Sequence, residues 1–142
     1  MPKRVLIVED NPISLELLSE LVQAEGYGVI PAVSGSEGLS IARAEHPDLI
    51  LMDMQLPGID GLTVTRALKA EAATKEIPVV GISAHALQDD IQRAIEAGCV
   101  AYMTKPLDTR RFRDLVVNLL SEDPPSLPSL PGGEGEVEGE AQ

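Results

Sequence analysis

The sequence is poor in aromatic residues and in cysteine, and both shortages limit what the chain can be. Among its 142 residues there is no Trp, one Phe, two Tyr and one Cys. A single cysteine, Cys99, excludes an internal disulfide and any metal site built from several cysteines. Hydrophobic residues still make up 44% of the chain, so a core can form, but Val, Ile, Leu and Ala must build it. The length is typical of one domain.

Basic residues are scarce as well. The chain has 11 Lys and Arg against 23 Asp and Glu, a formal net charge of −12, which argues against a nucleic-acid partner because phosphate binding needs clustered bases. Residues 122–142 hold six of the acids and none of the bases, together with four Pro and four Gly. We predict a folded domain over 1–121 and a disordered acidic tail over 122–142, because so few apolar side chains cannot offset the entropy lost on ordering.

Long apolar runs are absent. No segment approaches the roughly 20 apolar residues that a membrane-spanning helix needs. The first residues, Met1 to Arg4, do not continue into the apolar stretch of a signal peptide. We therefore expect a cytoplasmic protein without membrane insertion.

The apolar pattern predicts alternating strands and helices. Short β-branched runs predict strands over 5–8, 29–33, 49–52, 78–82 and 100–103, and amphipathic stretches predict helices over 12–24, 36–45, 62–72, 87–97 and 109–120. Continuous apolar strands joined by helices are typical of a doubly wound α/β fold, with a five-stranded parallel sheet covered on both sides. Such sheets bind ligands beyond the carboxyl ends of their strands.

Three acids follow two of these strands directly. Glu9 and Asp10 come after the first strand, and Asp53 comes after the third. If the two strands are neighbours, the carboxylates converge, and their repulsion is relieved either by protonating one of them or by binding a cation. Oxygen ligands without a thiolate favour Mg²⁺.

A carboxylate beside such a cation can also act as a nucleophile towards phosphorus. Charge in the phosphoryl transition state spreads over oxygens, so catalysis needs cations and hydrogen-bond donors around it. Lys105 and Ser83 supply an ammonium group and a hydroxyl at two further strand ends. Together with Asp53 they form a complete set for phosphoryl transfer.

Four segments resemble the receiver domain of two-component response regulators. They are Val-Glu-Asp-Asn at 8–11, Leu-Met-Asp-Met-Gln-Leu-Pro-Gly at 51–58, Ser-Ala at 83–84 and Tyr-Met-Thr-Lys-Pro at 102–106. The resemblance covers about residues 4–121 and is to the stand-alone type found among chemotaxis and cell-cycle regulators. It implies a flavodoxin-like (βα)5 fold and a phosphoprotein that takes part in a phosphorelay.

The resemblance also implies a role for each acid. Asp53 is similar to the phosphoacceptor of the family, and Asp10 is similar to its direct Mg²⁺ ligand. Glu9 would help to hold the metal through water. Gln55 would offer its backbone carbonyl to the same ion.

The same resemblance implies a switch. Lys105 would pair with the phosphoryl group, and Lys105-Pro106 resembles the cis peptide of the family. Ser83 would turn inward to bind a phosphoryl oxygen, with Tyr102 moving inward behind it, although Tyr102 can equally be a half-buried cover of the aliphatic core. Gln55 and His85 occupy positions that in the family tune the lifetime of the phosphoryl group.

Partners follow from the resemblance too. Apolar residues of the first helix span more than one core-facing stripe, so we expect Ile13 and Leu17, together with Pro106, to contact a sensor histidine kinase or a histidine phosphotransfer protein. The tail is too short and too polar for an output domain, so output would come from a downstream protein target or from relay of the phosphoryl group.

Two other functions remain open at this point. A haloacid-dehalogenase-like phosphatase also uses a nucleophilic Asp with Mg²⁺, but it expects a second acid where this chain has Gln55. A receiver-like scaffold that works independently of phosphate would bind its partner equally well without Asp53. The receiver interpretation makes the chain a signalling phosphoacceptor rather than an enzyme, with slow self-dephosphorylation at most.

Overall fold

The structure is a computed structural model that describes residues 2–84 and 87–121. Five strands alternate with five helices, and the elements in chain order are β1 (Arg4–Val8), α1 (Pro12–Gln23), β2 (Gly28–Ala32), α2 (Gly35–Glu45), β3 (Leu49–Asp53), α3 (Gly61–Ala70), β4 (Val79–Ser83), α4 (Gln88–Ala97), β5 (Ala101–Thr104) and α5 (Thr109–Leu119). The predicted order of elements is confirmed. The predicted tail over 122–142 lies outside the described residues.

The five strands form one parallel sheet in the order β2-β1-β3-β4-β5. The chain winds first towards β2 and then back past β1 to β3, so the winding direction reverses between β1 and β3. Val8 pairs with Met52, and Asp53 pairs with Ile82. This register brings the carboxyl ends of β1, β3 and β4 side by side, which is where doubly wound folds bind ligands.

Side chains that alternate along the strands build one aliphatic core on each side of the sheet. Leu6 and Val8 pack with residues of α2, α3 and α4, whereas Val5 and Ile7 pack with residues of α1 and α5. Phe112, the only Phe, is buried in the second core. The expected aliphatic core is thus present, and no helix in the described part of the chain combines the length and apolar character that a bilayer crossing needs.

Short turns fix where the helices begin. The Asn11 side chain accepts hydrogen bonds from the backbone N–H groups of Ile13 and Ser14, and Pro12 occupies the first helical position. Asp60 caps α3 and Asp108 caps α5 in the same way. These side chains satisfy backbone N–H groups that have no partner within the first turn of each helix.

Several boundaries differ from the prediction. β3 and β4 extend one residue further than predicted, through Asp53 and Ser83, because Met54 N donates to Ile82 O (2.9 Å) and continues the ladder. α3 ends at Ala70 instead of residue 72, since the buried Thr74 hydroxyl donates to Leu68 O (2.7 Å) and closes the last turn.

Strand β2 is an edge strand that contains a proline. Gly28 N donates to Lys3 O (2.9 Å), and Ala32 O accepts from Glu9 N (2.9 Å), so these two residues face β1. Backbone groups of successive strand residues point to alternate sides. Pro31 therefore has its nitrogen, which lacks a hydrogen, on the outer side of the sheet.

Among residues 2–84 and 87–121, one non-glycine residue adopts a left-handed conformation. His46 ends α2 with φ 48° and ψ 62°, and its backbone N–H donates to Ala42 O. A side chain at such a position costs conformational energy that glycine does not incur.

We expect His46→Gly to raise the free energy of unfolding by about 0.5–1 kcal/mol, because glycine relieves this strain. Urea denaturation monitored by circular dichroism would measure the change. Ala44→Gly is the matched control within α2, where glycine should lower the same free energy by about 1 kcal/mol. A destabilised His46→Gly variant would contradict the strain at this position.

Candidate functional site

The predicted site residues meet at the carboxyl edge of the sheet. Glu9 and Asp10 follow β1 directly, Asp53 is the last residue of β3, Ser83 is the last residue of β4 and Lys105 follows β5. Carboxylate oxygens of Glu9, Asp10 and Asp53 lie within 4.8 Å of one another. The convergence expected from the strand order is therefore present.

The three carboxylates differ in their exposure. Glu9 is only 1% exposed and Asp53 5% exposed, whereas Asp10 is open to solvent. A buried charge needs a partner to compensate for its lost hydration. Asp10 thus lies on the solvent-facing side of the site, and the other two acids lie on its buried side.

Lys105 is the cation of this group. Its Nζ lies 2.9 Å from Glu9 Oε1 and 3.8 Å from Asp53 Oδ2, and its backbone N–H donates to Ser83 O (2.8 Å). Glu9 also accepts a hydrogen bond from Asn11 N at 3.1 Å. Glu9 is therefore a direct ionic partner of Lys105, a contact that the resemblance did not include.

Asp53 is held by its own loop. The backbone N–H of Gln55 donates to Asp53 Oδ1 at 2.9 Å. The pKa of Asp53 is raised from its ordinary 3.8 to about 6, because burial and the neighbouring Glu9 together outweigh the opposing effects of the Gln55 N–H and of Lys105. Burial and the repulsion between the two carboxylates therefore both favour the protonated form of Asp53.

The Gln55 side chain makes a contact that sequence reasoning missed. Its Oε1 accepts a hydrogen bond from Ala84 N at 2.9 Å. One residue therefore connects the Asp53 carboxylate, through its backbone, to the loop after β4, through its side chain. No local pattern predicts this contact, because it joins residues 29 positions apart.

Gly61 is a second residue whose role sequence reasoning missed. A Cβ atom at this position would lie 2.6 Å from the Asp53 carbonyl oxygen and 2.8 Å from Met54 Cα. Only glycine lets α3 begin this close to the phosphoacceptor candidate. The Asp-Gly pair at 60–61 signals a turn but not this close approach.

Ser83 and Tyr102 border one cavity. Ser83 is buried and Tyr102 is half-buried. The cavity has a volume of about 270 Å³, and it is lined by Met54, Gln55, Leu62, Ser83, Asp90 and Tyr102. The predicted inward movement of Tyr102 would therefore have space beside Ser83.

The remaining predicted residues lie around the site. Lys105-Pro106 is a cis peptide, as expected, and Pro106 is exposed. Ile13 is 78% exposed and Leu17 46% exposed, so the expectation that α1 leaves apolar side chains uncovered is confirmed. His85 lies outside the described residues.

The donor set suits a hard divalent cation. The site offers carboxylate oxygens, and among the described residues the cluster contains no thiolate or imidazole. Mg²⁺ takes such oxygen ligands, keeping several waters. The exposed Asp10 leaves room for those waters.

Comparison with known families decides which site this is. A family model described as "Response regulator receiver domain" matches residues 5–117. The chain belongs to this family. Response regulators are signalling proteins of two-component systems rather than typical enzymes, and the cluster of Glu9, Asp10 and Asp53 fits the Mg²⁺ site of a receiver domain.

Relatives of similar length strengthen the assignment. The polar-differentiation response regulators DivK of Brucella ovis and Brucella anthropi are each 43% identical to this receiver over 122 residues, which cover 86% of this chain and 99% of the relative.

Solved structures share the receiver fold. The receiver domain of a sensor histidine kinase from Pseudomonas aeruginosa, described with a magnesium ion coordinated in its active-site cleft, matches at 29% identity with a TM-score of 0.76, over 82% of this chain and 96% of that one. The chemotaxis protein CheY4 of Vibrio cholerae matches at 22% identity with a TM-score of 0.79, over 84% and 100% of the two chains, and shows the fold alone.

Neutralising Asp53 should stabilise the receiver at neutral pH in EDTA. Below pH 3.8 both the folded and the unfolded carboxyl are protonated, so the group contributes nothing. As the pH rises from 3.8 to about 6, the unfolded state releases its proton more readily than the folded state, and the folded state loses relative stability. We expect Asp53→Asn to raise the free energy of unfolding at pH 7 by about 1–3 kcal/mol, measured by urea denaturation.

Two controls accompany this measurement. The difference between the two proteins should shrink as the pH approaches 3.8. Asp114→Asn, which neutralises an exposed acid of α5, should change the free energy of unfolding by at most about 0.5 kcal/mol. Equal stability of wild type and Asp53→Asn at pH 7 would show that the pKa of Asp53 is not raised.

Proposed function

We propose that the protein is a single-domain response regulator that accepts a phosphoryl group on Asp53 from a histidine kinase or a histidine phosphotransfer protein. The observation that carries the proposal is the position of Asp53, a buried carboxylate within 4.8 Å of two other acids and 3.8 Å from the Lys105 ammonium. Support for the stand-alone form comes from the DivK relatives, of which the match covers 99%.

The proposed reaction moves one phosphoryl group. A carboxylate oxygen of Asp53 forms a bond to phosphorus while the phosphorus–nitrogen bond of the donor histidine breaks. Asp10, Asp53 and the backbone carbonyl of Gln55 would hold Mg²⁺, with Glu9 acting through water, and the ion would neutralise charge on the phosphoryl oxygens. Lys105, now 2.9 Å from Glu9, would turn to pair with the new phosphoryl group.

The same modification would operate the switch. Ser83 would bind a phosphoryl oxygen, and Tyr102 would move into the space beside it. The surface formed by α4, β5 and α5 would then change its affinity for a downstream protein target, or the phosphoryl group would pass to a further protein. In this proposal residues 1–121 form the receiver, the protein works in the cytoplasm, and it binds no nucleic acid.

The residue at position 55, Gln55, argues against a phosphatase function. That position, which would carry a second acid in a haloacid-dehalogenase-like enzyme, holds an amide whose oxygen accepts from Ala84 N. In this proposal an acyl phosphate on Asp53 acts as a signal, with slow self-dephosphorylation at most.

Incubation with acetyl phosphate and Mg²⁺ should phosphorylate the wild type once, at Asp53, and should leave Asp53→Asn unmodified. Lys105→Met should lower the initial rate by about 10²-fold, because a cation that stabilises the transferring group is lost. Intact-mass spectrometry with peptide mapping measures both effects.

The controls separate chemistry from folding. Asp89→Asn, an exposed acid of α4, should react at the wild-type rate, and circular dichroism should confirm that Lys105→Met is folded. If the wild type stays unmodified while an unrelated receiver is labelled under the same conditions, the phosphoacceptor role is wrong. Equal affinity of wild type and Asp53→Ala for a partner, with and without phosphodonor, would favour a phosphate-independent scaffold.

The exposed apolar residues of α1 should matter only for protein donors. We expect the double variant Ile13→Ser, Leu17→Ser to slow phosphotransfer about tenfold or more from a histidine kinase identified in a phosphotransfer screen, because two apolar contacts are lost. Its reaction with acetyl phosphate should be unchanged. Val117→Ser, an exposed apolar residue of α5, is the control. Equal slowing with both donors would place the defect in the site and not in docking.

A further inference from the structure

The start of α5 carries a concentrated basic patch on an acidic protein. Arg110, Arg111 and Arg113 are all exposed, and they represent three of the 11 basic residues of a chain with net charge −12. We call these three residues the α5 basic patch. A local excess of positive charge on such a chain attracts acidic segments selectively.

Acidic residues adjoin the patch, but among the described residues only one of its three arginines forms an ion pair. The Asp108 carboxylate is occupied as the cap of α5, where it accepts from the backbone N–H groups of Arg110 and Arg111. Arg113 Nε lies 3.9 Å from Glu25. Within residues 2–84 and 87–121, neither Arg110 nor Arg111 forms an ion pair.

Two arginines elsewhere in the protein are paired closely. Arg4 Nη1 lies 2.9 Å from Glu45 Oε1, and Arg43 Nη2 lies 2.5 Å from Glu71 Oε2. Among the described residues, Arg110 and Arg111 differ from these two in having no ion-pair partner, a property that they share with the exposed Arg66 of α3.

A groove runs from the patch along α5 to the end of the described chain. Its first hollow, of about 420 Å³, is lined by Leu21, Ala24, Glu25, Thr109, Arg110 and Arg113. A second hollow, of about 460 Å³, shares Glu25 and Arg113 with the first and continues past Asp114, the exposed Val117 and Asn118 to Ser121. The groove therefore combines a basic end with an apolar wall and ends where residues 122–142 begin.

Residues 122–142 match this groove in charge and in reach. They contain six acids, no base, and the apolar residues Leu127, Leu130 and Val137. The 11 residues of α5 span about 16 Å at 1.5 Å per residue. About five extended residues cover that distance, so the acids at 134–140 can reach the patch even along a winding path.

We propose that residues 122–142 are the ligand of this groove, with the acids at 134, 136, 138 and 140 against the α5 basic patch and Leu127 or Leu130 beside Leu21 and Val117. The segment covers part of α5 and competes with any acidic protein for the same arginines. This proposal is independent of phosphorylation at Asp53, and either one can fail without the other.

Paramagnetic relaxation in the full chain tests the contact. The nitroxide is attached to the cysteine introduced by Ser129→Cys. The labelling reaction is selective for that thiol because Cys99 is buried, and burial raises the pKa of the Cys99 thiol to about 11. At low ionic strength the label should broaden the amide signals of Thr109 to Arg113 and Leu21 to Glu25. The broadening should be lost in 1 M NaCl, where the Debye length falls to about 3 Å.

Matched variants identify the charges responsible. Replacing Glu134, Glu136, Glu138 and Glu140 by Gln, or Arg110 and Arg111 by Gln, should abolish the broadening near α5. Arg66→Gln removes an exposed arginine of α3 and should leave the broadening unchanged.

Three results would overturn the proposal. The first is absence of broadening at α5 at low salt, and the second is unchanged broadening in the Glu→Gln variant. In a mixture of isotope-labelled protein without nitroxide and unlabelled protein with nitroxide, broadening as strong as in the single protein would assign the groove to a second copy. The intramolecular contact is supported if the broadening is sensitive to salt and occurs only when one chain carries both the isotope label and the nitroxide.

Discussion

Three carboxylates share one edge of the sheet, and the Lys105 ammonium group pairs with the two that are buried. Lys105 Nζ lies 2.9 Å from Glu9 and 3.8 Å from Asp53, and both acids are withdrawn from water. Removing such a cation from a buried pair leaves an uncompensated charge, which costs far more than an exposed pair contributes. The remaining excess of negative charge keeps the site receptive to a divalent ion, so its electrostatic imbalance is the source of its cation affinity.

The site is joined to the rest of the molecule by short, direct contacts. Gln55 binds Asp53 through its backbone and Ala84 through its side chain, while Ser83 and Tyr102 border the same cavity. A change at Asp53 therefore meets groups that belong to β4 and β5 without crossing the core. This arrangement gives the proposed switch a physical route from the carboxylate to the surface of α4 and α5.

Sequence reasoning located the elements and the acids because their signals are local. Short apolar runs such as residues 5–8 and 49–52 favour buried strands, and the residues that follow parallel strands meet at the carboxyl edge of the sheet. The pairing of Glu9 with Lys105, the amide contact of Gln55 and the close approach at Gly61 were missed. Each depends on distances between segments far apart in the chain, which no periodicity of one segment encodes.

The proline of β2 affects how readily a strand of another molecule can pair with this edge of the sheet. Pro31 presents no donor on the outer side of the sheet, and it is exposed there. A strand from another molecule that approached this border would find one hydrogen bond of the ladder missing. The β2 edge is thus a poorer template for the addition of a further strand than a proline-free edge would be.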